Sequence, residues 1–337
     1  MEFNKLFTTI DTHAGGEPLR IVTGGIPHLK GNTQWERADD FSQKFDHIRS
    51  FLMAEPRGHH GMVGCIITPP AIDDAHFGVL FMHNEGLCTM SGHGIIAAVT
   101  AWFETGQLRP EEADTGIRID TPAGRVTAYA ECEGTEVKSV SFDNVPSFIY
   151  ASDVPITLNG FDFNVDISFG GAFYAIVEAK ALGELQLREN ELPDLQKWGY
   201  QLKREIEAKL SIVHPLEQQL NGIHGIVFTD SANVRQTGSN YRNVTVFAND
   251  QFDRSPGGAG VCAHMAVLIH RGKLKLGEAC VHEGIVGTQI AGKVIMEANV
   301  GTYTAIIPRI TGHAFITGFQ NFVADATDPL AQGFLLR

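Results

Sequence analysis

Basic residues are scarce in this chain. Only 26 Lys and Arg stand against 39 Asp and Glu in 337 residues, a formal net charge of −13. That balance argues against nucleic acid and against an anionic membrane surface, since both select basic faces. Cysteine is sparse as well. The five residues, Cys65, Cys88, Cys132, Cys262 and Cys280, are odd in number and show no CxxC pair and no metal-ligand spacing. They exclude a disulfide framework and read as free thiols of a reducing compartment. The sequence also lacks an HExxH helix, a G-x-S-x-G elbow, a P-loop, and a strand leading into GxGxxG with an acidic residue about twenty positions on. Zincins, α/β-hydrolases and doubly wound nucleotide folds are set aside on that ground, and His59-His60 makes no metal pattern. No apolar run approaches the ~18 residues of a membrane span, and Met1-Glu2-Phe3-Asn4-Lys5 is not the start of a signal peptide. A cytoplasmic, globular protein is expected.

What remains is ordinary in bulk and specific in two places. Hydrophobic content is 43% and mean hydropathy −0.04, enough for about two domains with a sizeable core. The first specific stretch is Met90-Ser91-Gly92-His93-Gly94. It follows the apolar run Phe77 to Met82, which reads as a buried strand. It precedes Ile95 to Phe103, which reads as a buried helix stopping at Gly106. Glycines at a helix start leave the first backbone N–H groups uncrowded. Those donors lie at the positive end of the helix dipole and suit an anion. The second stretch repeats the construction. Asp253-Arg254-Ser255-Pro256-Gly257-Gly258-Ala259-Gly260 precedes an apolar helix, Val261 to His270, closed by Gly272. Two such starts suggest two similar halves, with one small carboxylate held between facing helix N-termini.

The rest of the chain fits that scheme. Strands are expected at Leu6 to Asp11 and 19–22, then an amphipathic helix over about 38–54, from Phe41, Phe45, Ile48, Phe51 and Leu52. Strands follow at about 62–68 and 76–82, then at 117–120, 125–130 and 137–142. Asn144 to Ser147 crosses into the second half. There, strands surround Gly170-Gly171, and Leu195, Trp198, Leu202, Ile206 and Leu210 mark a long helix. Strands come next at about 224–229 and 243–247, and the tail over about 284–320 is strand-rich. Each half reads strands, helix, strands, glycine cluster, buried helix, strands: an α+β pseudo-duplication. The halves are expected at 1–145, joined by the extreme C-terminal segment, and 146–320.

Several residues have two readings. Ser91 is a base or nucleophile at a helix N-terminus, or simply the N-cap that serine often supplies; catalysis would require activation by a neighbour. His93 orients or activates Ser91, or bonds a nearby loop. Asp253 caps the second helix or pairs with a substrate ammonium. His224, between Ile223 and Gly225, is a satisfied strand histidine or a site residue. Gly257, Gly258 and Ala259 offer backbone donors, or only let elements pack closely.

These stretches together resemble the proline racemase family, nearly end to end. The likeness is carried by Asp11 to Pro18, Glu55-Pro56-Arg57-Gly58-His59, Met90 to Gly94, Ile119 to Gly124, Gly170-Gly171, Asp253 to Pro256 and Ile310-Thr311-Gly312. The implied fold is similar to diaminopimelate epimerase: two halves, each a mixed sheet wrapped round a central helix, with the active site in the cleft between them. Racemases of that family use two thiols, one on each side of the substrate Cα. The first family cysteine falls on Ser91 and the second on Gly257, which has no side chain to carry a proton.

The resemblance therefore implies dehydration rather than inversion: trans-3-hydroxy-L-proline losing its α-proton and 3-hydroxyl to give 1-pyrroline-2-carboxylate. Ser91 would be the base. Gly92, His93, Gly258 and Ala259 amides would hold the carboxylate, with Asp253 and His224 near the ring nitrogen and ring substituents. His60, or a water in the space left by Gly257, would be the acid. No cofactor and no metal are implied; the partner is a small imino acid, and a homodimer is expected. Two alternatives stay open. One is an epimerase whose second proton comes from Cys262, Cys88 or water. The other is an imino-acid binder without catalysis.

Overall fold

A computed structural model describes residues 3–183 and 185–336. The chain divides into two compact units, 1–141 with 313–337 and 142–312. The first unit opens with β1 (Phe3–Ala14) and β2 (Glu17–Gly24), an antiparallel pair turning at Gly15-Gly16, both at positive φ. The single helix expected over about 38–54 is two: α1 (Gln34–Lys44) and α2 (Asp46–Met53). The apolar period runs through the break and hides it. At Phe45, φ −127° and ψ 10° end α1, and its N–H donates to Phe41 O. The start at 34 was in fact signalled: Thr33 and Glu36 form a capping box. Next come β3 (Val63–Thr68), β4 (Phe77–His83) and a short β5 (Gly86–Cys88), which the apolar pattern did not mark. α3 (Gly92–Glu104) follows, then β6 (Ile117–Thr121), β7 (Gly124–Glu133) and β8 (Glu136–Asp143). β2 pairs β3 in parallel and β3 pairs β4 antiparallel; β4 pairs β5 antiparallel and β6 in parallel; β6 pairs β7 antiparallel.

The second unit has β9 (Ser147–Leu158), β10 (Phe161–Phe169), β11 (Phe173–Glu178), α4 (Leu192–Lys209), β12 (Gly225–Asp230), β13 (Tyr241–Phe247) and β14 (Gln251–Phe252). It continues with α5 (Gly258–His270), β15 (Ala279–Glu283), β16 (Gln289–Val300) and β17 (Tyr303–Gly312). Its strand ladder closes on itself. β9, β10, β11, β12 and β13 pair in turn, then β13 with β15, β15 with β16, β16 with β17, and β17 with β9. The last strand, β18 (Ala314–Asp325), returns to the first unit and pairs antiparallel with β1.

α3 and α5 are apolar on every side, and a helix of that kind has to be buried all round. In α3, Ile95 through Val99 are fully buried, and the helix packs on β1, β2, β7 and β18. In α5, Val261, Cys262, Ala263 and Met265 are fully buried, and the helix packs on β9, β10, β11, β16 and β17. Each buried Ile, Val or Leu contributes roughly 1.5–3 kcal/mol. The amphipathic α1 and α2 instead cover a second core around Phe7, Phe41, Phe51, Leu52 and Leu80.

Candidate functional site

Strand β4 and the turn after β5 deliver the chain to the α3 N-terminus. Ser91 is the N-cap, with extended φ −143° and ψ 111°, and is 7% exposed. The Gly94 N–H donates to Ser91 Oγ at 3.3 Å, and Oγ lies 3.2 Å from His93 Nδ1. The oxygen is thus held at the positive helix end, and its proton has an imidazole nitrogen as an acceptor when Nδ1 is unprotonated. Both functional readings of His93 toward Ser91 are compatible with this pair. The amides of Gly92 and His93 occupy the first turn, ahead of any i−4 carbonyl of the helix. Gly94 is required sterically: a β-carbon there would stand 2.4 Å from the Phe81 ring.

The loop carrying His60 follows α2 and is pinned from below. Asn84 donates to Met53 O and His59 O and accepts from Gly61 N–H. Arg20 donates to Leu52 O and Arg57 O, and its guanidinium pairs with Asp11 at 2.8 Å. Much of the Asp11 and Glu55-Pro56-Arg57 stretches is therefore scaffold. His60 itself is half-buried, and the ring of its neighbour His59 bonds its carbonyl at 2.9 Å.

In the second unit Asp253 follows β14, with its N–H on Thr245 O. Its Oδ1 accepts from the Ser255 N–H at 2.9 Å and the Ser255 hydroxyl at 2.7 Å; Ser255 Oγ in turn accepts from Gly257 N–H at 3.0 Å. Asn243 Nδ2 donates to Pro256 O. This relay fixes the loop that opens α5, and Gly258 and Ala259 form the first turn. Gly257 is the N-cap at φ 78° and ψ 139°, a conformation that costs any L-residue about 1–3 kcal/mol. A β-carbon at Gly257 would have Asp253 Oδ2 at 3.1 Å and Thr245 Oγ1 at 3.7 Å as its nearest polar neighbours. The sequence alone does not single out Ser255 or Thr245. Ser255 sat visibly inside the Asp253 to Pro256 stretch, whereas Thr245 belongs to an unremarkable strand.

His224 lies just before β12 rather than within it, its N–H on Phe173 O at 2.8 Å. The ring stacks on Phe247, with centroids 5.7 Å apart, and meets Tyr174 edge-on at 5.5 Å. Burial, with a smaller effect from Lys203, lowers its pKa to about 4, so the imidazole is neutral at physiological pH. Cys262 is fully buried inside α5, and burial pushes its thiol up; Cys88 is pushed up to about 12 by the same cause. Neither is a ready proton donor or thiolate base. None of the five cysteines is paired. Among the described residues no group of three His, Cys, Asp or Glu side chains is placed to hold a metal ion, and no helix is long and apolar enough to cross a membrane.

Known proteins are similar to this chain over nearly its whole length. Residues 9–335 match the proline racemase family. A trans-3-hydroxy-L-proline dehydratase of Bacillus thuringiensis subsp. konkukian is 52% identical over 336 residues, covering 100% of both chains. A proline racemase of Acetoanaerobium sticklandii is 41% identical over 337 residues, covering 99% of each. The crystal structure of a hydroxyproline epimerase from Agrobacterium vitis, with bound trans-4-hydroxy-L-proline, superposes with a TM-score of 0.92. It is 29% identical, and the match covers 100% of this chain and 97% of that one.

Proposed function

This chain belongs to the proline racemase family, and from that premise we propose that it is a hydro-lyase converting trans-3-hydroxy-L-proline to 1-pyrroline-2-carboxylate. One observation carries the choice over racemisation. Gly257, the N-cap of α5, has no side chain to hold a proton, and its positive φ suits glycine alone. The 52% identity to a named dehydratase supports the same choice.

In this reading the first-turn amides of α3 and α5 hold one carboxylate, which stabilises the charge that builds there as Cα is deprotonated. Ser91 removes that proton. Its hydroxyl is made more acidic by the Gly94 N–H and the helix dipole, and His93 Nδ1 accepts its proton. Asp253 pairs with the ring nitrogen, and neutral His224 bonds a ring substituent. The electrons of the Cα–H bond form the C2–C3 double bond, the C3–O bond breaks, and the oxygen takes a proton from His60 or from a water beside Gly257 and leaves as water. The enamine then tautomerises to the imine.

The finer architecture belongs to the same proposal: each sheet wraps a central helix and the halves are duplicates. The identical run of pairings supports it. β1, β2, β3, β4 and β6 pair antiparallel, parallel, antiparallel and parallel, and so do β10, β11, β12, β13 and β15.

The test is incubation of purified protein with trans-3-hydroxy-L-proline, trapping the imine with o-aminobenzaldehyde, alongside optical rotation of L-proline and D-proline. Imine without change of rotation is expected. Inversion of either proline enantiomer at a rate matching dehydration overturns the reading.

A further inference from the structure

The geometry points to Thr245 as a positioning residue for the acid step: its hydroxyl and Asp253 Oδ2 seat a water over the Gly257 α-carbon, and that water protonates the departing 3-hydroxyl. This rests on the dehydratase reading. The first support is burial. Thr245 is 5% exposed, and Oγ1 has no hydrogen-bond partner among the described residues. A buried hydroxyl without a partner is destabilising, and a bound water relieves that cost. The second is direction. Thr245 Oγ1 lies 3.7 Å from the β-carbon position of Gly257 and 3.2 Å from that of Gly260, so it points at the opening turn of α5.

The third support comes from the other unit. The strand pairings match Thr245, opposite Val227, with Phe81, opposite Cys65. Phe81 fills the same place under α3 that Thr245 fills under α5, against Gly94 and Gly260 respectively. Where a side chain, Ser91, caps the helix, the residue beneath is apolar. Where the cap is Gly257, it is a hydroxyl. The polar group is therefore not needed to build the turn.

Thr245 donates to the water oxygen, and the water donates one proton to Asp253 Oδ2 and turns the other toward the substrate. As the C3–O bond breaks, its electron pair stays on oxygen, which takes that proton and leaves as water. The hydroxide left behind is held by Thr245 at the positive end of α5 and takes a proton from solvent. The α-proton on Ser91 passes to solvent, so one proton is released and one taken up.

The experiment is dehydration of trans-3-hydroxy-L-proline in heavy water, with deuterium at Cα of the recovered substrate read by mass spectrometry. Thr245→Val keeps shape and removes the hydroxyl. Dehydration should fall about a hundredfold or more, while deuterium continues to enter recovered substrate. Thr245→Ser should keep the wild-type ratio of exchange to dehydration within about threefold. Should Thr245→Val fail to fold, Thr245→Ala against Thr245→Ser makes the same comparison. A hydroxyl-free variant that dehydrates within about threefold of wild type overturns the proposal, and so does parallel loss of exchange and dehydration. A wild-type protein that neither exchanges nor dehydrates this substrate overturns the dehydratase reading itself, and this inference with it.

Discussion

Ser91 caps its helix and, in the proposed reaction, is also the base. Its Oγ caps α3 through the Gly94 N–H and faces His93 Nδ1. Ser91→Ala removes both contacts. Loss of the cap costs about 1 kcal/mol, visible as a melting shift of a few degrees. In the proposed mechanism, loss of the base should cut imine formation by at least about a hundredfold. A variant that keeps wild-type turnover would remove Ser91 from the mechanism. The neighbouring glycines separate into kinds. Gly94 is excluded from carrying a side chain by the Phe81 ring, whereas Gly257 has more room and is constrained by its φ.

At the scale of elements, the two buried helices are positioned by close backbone approach as much as by apolar packing. Gly170 shows this. A β-carbon on it would lie 2.2 Å from Ala259 O and 2.7 Å from Ala263 N, both backbone atoms of α5. Asn144 fixes the same glycine by donating to its carbonyl at 2.9 Å. Gly170→Ala must therefore push α5 away from β10 or distort β10. The expected cost is about 1–3 kcal/mol, and if the first turn of α5 binds the carboxylate as proposed, affinity for it should fall as well. Thermal melting and calorimetric titration with a proline-like carboxylate check this; unchanged affinity and stability would overturn it.

For the molecule as a whole, acid sensitivity follows from histidines buried in the second unit. His264 Nδ1 lies 3.0 Å from His282 Nε2, with Tyr241 stacked on His282. Burial lowers the pKa of His282 to about 4 and that of His264 well below 6.5, and His224 is also near 4. Between pH 6.5 and 4 the unfolded chain binds protons that the folded one refuses, so stability rises with pH across that window and is lost as pH falls through it. The melting temperature should drop from pH 7 to pH 5, and a His264→Asn, His282→Asn double variant should show a flatter slope. An unchanged slope would place the acid sensitivity elsewhere. Buried Arg242 and Glu283 form a second fixed point of this unit, Arg242 also donating to Leu187 O and Ile285 O.

The sequence by itself determined the two glycine-led helices, the family, and the absence of a side chain at 257, because each is written in adjacent residues. Helix starts, apolar runs and turn glycines are local, so Ser91 and the Gly257 turn are legible as helix openings; Asp253, read as a possible cap of α5, instead accepts from Ser255 while Gly257 is the N-cap. The break at Phe45 was not, since a change in two backbone angles leaves the apolar period intact. Nor was β5, too short to carry a pattern of its own. Only the tertiary structure decided that Gly170 faces the backbone of α5, that the second unit's ladder closes through β17 and β9, and that Thr245 lies under Gly257. Those facts join residues from a dozen to more than a hundred positions apart, and strand register, which no run of neighbouring residues encodes, is what brings them together.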